Sequence, residues 1–402
     1  MIENFETKIQ LVPQKKRVWA HFVYKFLFLS SSEAFQKALF LCMRFSVFSA
    51  FLLGVSGVLS AQNSPEEIKK EVPPTPKVKN VILMIGDGTG LAQWSAAQSR
   101  VKDPLHVYTL SEYLGLSKTS SASHFITESG AGATAISIGE KTYNKAIGLR
   151  ADTSIAFTLS EMLHVKGKST GLVASCGLTH ATPASFYAHQ VNRYMDKEIV
   201  EDFYGGFIDI AIGGGFPLFD TARLHKLGYA TYVYKNTDFN TIDTSDFVGF
   251  YDTSNHPVKY SEGRGSFLKD ATMAAIRNLD KNENGFFLMV EGSQIDWGGH
   301  DNDAEYVISE TLDFDSTIAA VGQWAKADGE TLVIITADHE TGGLSLFEET
   351  QNKEAKFAFS TKHHTGIPVP VFAFGPMSHL FGGIYENNEI HGKILKALQI
   401  KP

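Results

Sequence analysis

Five short stretches, residues 81–85, 171–174, 286–290, 332–336 and 369–374, are apolar or β-branched almost throughout, and segments with helical patterning separate them. A strand with one face in water alternates apolar and polar residues, so runs without alternation indicate strands buried on both faces. Strands of that kind, alternating with helices, specify an α/β three-layer sandwich: a central, mainly parallel β-sheet flanked by helices. Residues 208–212, followed by Gly213-Gly214-Gly215, read as a further strand entering a tight turn. Between about 220 and 265 the pattern weakens into Asn-, Asp-, Thr- and Tyr-rich sequence, which reads as a variable insertion or long loop region. No solenoid-type repeat is visible.

The 402 residues, 43% of them hydrophobic, suffice for a large core. Met43-Arg44, the apolar run 45–58 and Leu59-Ser60-Ala61 form the charged, apolar and small-residue parts of a secretory signal peptide over 43–61. The run falls short of the roughly 20 apolar residues of a spanning helix, so the mature form is expected to have no stable membrane span. Residues 1–42 then form an upstream extension outside the mature protein. Residues 62–79 are charged and contain four prolines, a linker composition, and the catalytic domain is expected over 80–402. These features predict an exported protein, periplasmic or extracellular.

Without residues 1–61 the chain keeps 29 basic and 41 acidic side chains, a net charge of −12. That acidity argues against a nucleic-acid-binding role, which needs a basic footprint. Of the two cysteines, Cys42 precedes the expected cleavage point and Cys176 follows it, so the mature chain has no internal disulfide. Stability is therefore expected from the core and from metal ions held by oxygen and nitrogen ligands.

Candidate ligands fall just past the expected strands: Asp87 after 81–85, Glu291 and Asp296 after 286–290, Asp338 and His339 after 332–336. Open α/β sheets build their sites there. Each aspartate alone reads equally as a turn or helix cap; their coincidence carries the argument. His364 precedes the run 369–374 and must reach such a site from a loop. Asp296 and His300 are four apart, so one helical turn sets a carboxylate and an imidazole on one face. By itself that spacing also fits a hydrogen-bonded pair on a solvated helix. Asp338-His339 stands at a glycine-bounded turn where adjacent side chains can converge, whereas His363-His364-Thr365-Gly366 alone is equally a surface turn. Asp and His without sulfur favour zinc, and an all-oxygen set of Asp, Glu, Thr and water favours magnesium.

Thr127-Glu128-Ser129-Gly130-Ala131-Gly132 puts a serine at the head of a small-residue helix start. Free N–H groups and the helix dipole there attract a phosphoryl group, although a capping serine before a closely packed helix fits as well. Thr182-Pro183 marks a second helix start with Thr182 as cap, and Arg193 lies on the same side if that helix runs nearly three turns. A guanidinium fork binds phosphate oxygens in bidentate fashion, though most helical arginines are simply solvated.

Together these segments, Ile85-Gly86-Asp87-Gly88, Thr127-Glu128-Ser129, Ala181-Thr182-Pro183-Ala184 through His189 to Arg193, Val290-Glu291-Gly292 through Asp296 to His300, Thr336-Ala337-Asp338-His339 and His364-Thr365-Gly366, resemble the alkaline phosphatase family. They follow the family order and span nearly the whole expected mature chain. The resemblance implies two zinc ions, one on Asp296, His300 and His364 and the other on Asp87, Asp338 and His339. It further implies one magnesium ion on Asp87, Thr182 and Glu291, Ser129 as nucleophile and Arg193 as phosphate clamp. Small-molecule phosphate monoesters are the implied substrates. Three departures stand out: Glu128 replaces the usual aspartate that orients the arginine, His180 and Trp297 stand where some bacterial relatives have aspartate and lysine, and the shorter chain leaves a homodimer open. A phosphodiesterase or sulfatase on the same zinc core is the rival enzyme, and a silent phosphate- or metal-binding protein the rival from another class. Thr182, Glu291 and Arg193 oppose the former.

Overall fold

The computed structural model describes residues 77–348 and 355–401. The upstream extension, the signal-like segment and the linker up to residue 76 lie outside the described residues.

In chain order the strands are β1 (Asn80–Gly86), β2 (Tyr113–Lys118), β3 (Ser169–Gly177), β4 (Ile210–Gly214), β5 (Ala230–Val233), β6 (Phe247–Phe250), β7 (Phe286–Gly292) and β8 (Thr331–Thr336). They continue as β9 (Glu340–Thr341), β10 (Leu344–Glu348), β11 (Ala355–Phe359), β12 (His364–Thr365), β13 (Val369–Phe374) and β14 (Gly383–Glu386). Ten of them form one sheet in the order β14-β2-β13-β8-β1-β7-β3-β4-β6-β5. In it β13 runs against its neighbours β2 and β8, and the remaining pairings are parallel. Two small antiparallel ribbons, β9 with β12 and β10 with β11, stand outside it.

The unbroken apolar runs have the expected cause. All seven residues of β1 are buried, and successive side chains enter different cores. Val81, Leu83 and Ile85 pack with Ala133 and Ile136 of the helix Ser129–Ile138, Leu163 of Leu159–Val165 and Ile394 of Glu389–Ala397. Ile82 and Met84 pack with Trp94 of Leu91–Gln98, Ala275 of Phe267–Leu279 and Phe314 of Ala304–Asp328. Two cores separated by one sheet make the expected three layers, and each fully buried Val, Leu, Ile, Phe or Met contributes about 1.5–3 kcal/mol relative to exposure.

Of the two expectations for 220–265, a variable insertion or a long loop, the long loop is corrected. This segment supplies the helix Thr221–Lys226 and the strands β5 and β6, which extend the sheet beyond β4. Both are four-residue strands at the sheet's end, too short to produce a long apolar run. Among the described residues, no helix is long and apolar enough to cross a membrane.

Candidate active site

The sheet delivers its acids from neighbouring strands. Asp87 follows β1, Glu291 is the penultimate residue of β7, and Asp338 lies just beyond β8, all at carboxyl ends. Gly88 makes the close approach possible. Its φ is +69°, and a Cβ there would come within 2.8 Å of the Asp296 Cα.

Asp87, Asp338 and His339 form one group, with His339 Nε2 3.5 Å from Asp87 Oδ1 and 3.3 Å from Asp338 Oδ2. All three are fully buried, and Ser129 Oγ lies 3.3 Å from the same Nε2. Asp296, His300 and His364 form a second group. Asp296 Oδ2 is 3.4 Å from His300 Nε2, Asp296 Oδ1 is 3.6 Å from His364 Nε2, and the two imidazole nitrogens are 3.1 Å apart. The helix Gln294–Asp301 sets the Asp296–His300 pair one turn apart, as the spacing predicts. His364 arrives on β12, paired with β9 beside His339.

The proton inventory of these histidines shows that the groups suit cations. His300 Nδ1 is 2.6 Å from the Lys362 carbonyl and His364 Nδ1 is 3.0 Å from that of Thr127. A carbonyl only accepts, so each Nδ1 carries a proton, and in the neutral rings the two facing Nε2 atoms present lone pairs. Thr341 does the same for His339: its hydroxyl donates to Asp296 Oδ1 at 2.5 Å and lies 3.2 Å from His339 Nδ1, where it can accept. Opposed lone pairs beside carboxylates are the arrangement that a bound cation satisfies. Both oxygens of Asp87, Oδ2 of Asp338, Oε1 of Glu291 and Oγ1 of Thr182 are buried without a hydrogen-bond partner, a second observation in the same direction.

The electrostatics agree. Burial, then Asp338, Asp296 and Glu291, push Asp87 well above the usual carboxylate range. Burial likewise raises Asp338 to about 7 and Glu291 to about 8. Burial holds His339 well below the ordinary imidazole value and lowers His180 to about 3, with Arg193 adding to both. The pocket thus disfavours uncompensated negative charge and keeps imidazoles neutral, the protonation state of a metal ligand.

Two sequence expectations about helix starts are corrected. The cap of Ser129–Ile138 is Glu128, whose carboxylate accepts from Gly130 N at 2.9 Å and Ala131 N at 2.7 Å. Those N–H groups are therefore engaged, not free for a phosphoryl group, and Ser129 is the first residue of the helix. The helix begun near Thr182 is only Ala181–Ala184, capped at His180, so Arg193 comes from the loop beyond it. Glu128 nevertheless reaches Arg193: Nη1 donates to Glu128 Oε2 at 2.6 Å, and Lys145 N donates to Oε1 at 2.7 Å. Burial opposes ionisation of Glu128, but Arg193 and the N–H donors outweigh it and hold its carboxyl below the usual value.

His180 Nε2 lies 3.4 Å from Arg193 Nη2, and Trp297 meets His180 and His256 edge-on at 6.0 and 5.2 Å. Every sequence-predicted site residue therefore stands in one neighbourhood. Sequence reasoning missed Thr341, although it lies two residues after His339, and it missed His256, whose Nδ1 accepts from Gly177 N at 3.0 Å. It also left Cys176 without a place, yet its Sγ is 3.4 Å from Glu291 Oε2. A cleft lined by His180, Arg193, Tyr194, Asp196 and His256 opens beside this corner.

A buried hydroxyl facing paired acid–imidazole groups on such a sheet defines a metal-assisted hydrolase of the α/β class. A family model described as alkaline phosphatase matches residues 78–219, 213–351 and 345–400, and the chain belongs to that family. It is 34% identical to alkaline phosphatase 3 of Bacillus subtilis over 417 aligned residues, covering 80% of this chain and 89% of that one. Among solved structures, the alkaline phosphatase of the Antarctic bacterium TAB5 is 42% identical with a TM-score of 0.77, covering 81% of this chain and all of that one. A histidine-to-glutamate mutant of that enzyme, described with Mg bound in the M3 site, is 41% identical with a TM-score of 0.78, covering 82% of this chain and 100% of that one.

Proposed function

We propose that the chain hydrolyses phosphate monoesters through a phosphoserine on Ser129, with two zinc ions and one magnesium ion as cofactors. The observation that carries this reading is the Ser129 hydroxyl 3.3 Å from His339 at the edge of the buried acid cluster. Asp296, His300 and His364 would hold one zinc and Asp87, Asp338 and His339 the other. Oxygen donors of Asp87, Thr182 and Glu291 suit magnesium, and the Mg-bound relative lends support. When bound, these cations supply Lewis-acid stabilisation of the attacking and departing oxygens.

The chain's own residues do the rest. Ser129, 2% exposed and fixed in the first helical turn, presents Oγ to phosphorus; an O–P bond forms there as the hydroxyl proton leaves to solvent, while the bond to the leaving alkoxide breaks and that oxygen takes up a proton to give the alcohol. Water then attacks the same phosphorus, freeing Ser129 and inorganic phosphate. Arg193, anchored through Nη1 by Glu128 and with Nη2 3.4 Å from His180 Nε2, has its other N–H groups for equatorial phosphate oxygens. His180 and Trp297 flank that clamp and influence its surroundings more than the reaction itself.

We further propose that 43–61 is an export signal and 80–402 the catalytic domain, acting in the periplasm or outside the cell. Comparing p-nitrophenyl phosphate with its bis-ester and with the sulfate tests the substrate class. The monoester is expected to turn over fastest, and faster hydrolysis of either other ester overturns the reading.

A further inference from the structure

We propose that a buried ion pair between Glu161 and His189 is a positioning device for Arg193, so that phosphate affinity depends on the protonation of His189. This rests on the reading of Arg193 as the phosphate clamp and names what holds the clamp in place. Arg193 comes from a loop beyond the helix Ala181–Ala184, and its position is therefore set by what that loop is tied to.

Arg193 N donates to the Lys145 carbonyl at 2.9 Å, and Ile147 and Gln190 exchange both backbone bonds at 2.9 Å, so residues 145–148 and 190–193 form a short antiparallel ribbon. Glu128 joins the two sides near Arg193, accepting from Lys145 N at 2.7 Å and from Arg193 Nη1 at 2.6 Å. His189 ties the other end. Its Nδ1 is 2.8 Å from the Gly148 carbonyl and its Nε2 is 2.9 Å from Glu161 Oε1. Glu161 is buried in the first turn of the helix Leu159–Val165, where its other oxygen accepts from Thr158 N at 2.8 Å. Gly148 permits the approach: its φ is +58°, and a Cβ there would come within 2.0 Å of the Ala188 carbonyl oxygen.

A carbonyl and an ionised carboxylate both only accept, so His189 makes its two ring bonds together only as an imidazolium. The charged groups set against it are Glu161 and, from the helix Asp196–Phe203, Asp202, whose Oδ2 accepts from His189 N at 2.8 Å and from Gln190 Nε2 at 2.7 Å. Burial opposes the charge, but Glu161, the Gly148 carbonyl and Asp202 outweigh it and raise the imidazole above its ordinary value. When the proton is lost at alkaline pH, the ring can donate to one partner only, and the ribbon loses its tie at Gly148 or at Glu161. Glu161→Gln separates charge from shape. Its amide oxygen can accept from Thr158 N while its NH2 group donates to Nε2 of a neutral ring, whose Nδ1 still donates to Gly148. That variant keeps both ties without the titration.

Inhibition by inorganic phosphate, with KM and kcat for p-nitrophenyl phosphate, is measured on the metal-loaded full chain from about pH 6 to about pH 10. The inhibition constants of the unaltered chain and of Glu161→Gln are expected to agree at the acid end. At the alkaline end the unaltered chain should bind phosphate about fivefold more weakly than the variant, the worth of one hydrogen bond, with KM following and kcat changed by less than about twofold. In an Arg193→Ala background the two should stay equal at every pH. Parallel pH profiles, or a difference that persists without Arg193, overturn the proposal; a pair that merely ties two helices together gives parallel profiles. His189→Ala, which removes both ties, should weaken phosphate binding about tenfold across the range, and if it does not fold the Glu161→Gln comparison decides. Arg193→Ala alone reads the clamp separately: unchanged phosphate affinity there overturns the clamp reading and this proposal with it, whereas the expected loss together with parallel profiles overturns this proposal alone.

Discussion

Two clusters of buried acids among the described residues are treated differently by the chain. Under the helix Ala304–Asp328, Glu310 and Asp313 are buried against Arg264, which is 2% exposed. Its Nη1 meets Glu310 Oε1 at 3.2 Å, its Nη2 meets Asp313 at 2.9 Å, and Tyr260 N adds a bond to Glu310 at 2.8 Å. At the sheet's carboxyl end, Asp87, Glu291 and Asp338 are buried just as deeply, but the cation nearby, Arg193, is bonded to Glu128. The first cluster carries its counter-charge in the sequence; the second is built to receive one. Buried charge thus marks structure where the chain completes the pairing and chemistry where it leaves donors open.

This contrast is sharpest if the two clusters fail in different ways when altered. Ser129→Ala should lower kcat by about 10^3-fold or more without changing metal content or melting temperature, measured by turnover and elemental analysis. Chelation should abolish activity and destabilise the fold, since ions present at about 1,000 times their Kd stabilise by about 4 kcal/mol each. An unchanged melting temperature after complete metal removal would show that the open cluster needs no counter-charge. Arg264→Met should destabilise by about 3–5 kcal/mol in denaturant unfolding, through the uncompensated Glu310 and Asp313, while the metal content of the folded fraction stays intact.

A pH series on the metal-free protein probes the carboxyls of the open cluster. The folded values of Asp338, about 7, and Glu291, about 8, lie above their ordinary 3.8 and 4.5. Above about pH 7, where His180, His339 and His364 are neutral in both folded and unfolded chains, the folded chain binds more protons than the unfolded one through these two carboxyls, so stability should fall as pH rises from 7 to 8, and metal should flatten the slope. A melting temperature that rises over that range contradicts the assignment. The smallest effect is expected for Glu128→Gln. It keeps one acceptor oxygen, enough for Ala131 N and Lys145 N, but loses the charge and the oxygen shared by Gly130 N and Arg193, so kcat/KM should drop about tenfold, the equivalent of a single charge-assisted bond.

Legibility in the sequence followed how each element earns its stability. Strands β1, β3, β7, β8 and β13 are buried across the sheet, so they appear as unbroken apolar runs, and Asp87, Glu291 and Asp338 could be read as strand-end residues. Strands β5 and β6 were not legible because four residues at the sheet's end leave little pattern. The loop origin of Arg193 was hidden for another reason: helix length after Thr182-Pro183 depends on packing, which propensity does not report. Thr341 and Cys176 act through contacts to residues 45 and 115 positions away, and neither spacing leaves a local signature. The family resemblance supplied the grouping of ligands that residue patterns left open.

Strand β13 slots between β2 and β8 and runs opposite to both, so the sheet closes only with a strand that comes after β1 to β8 in the sequence. His364 lies just ahead of that strand. A chain halted before residue 364 therefore has neither an intact central layer nor the His364 imidazole, and catalytic competence arrives together with architectural completion.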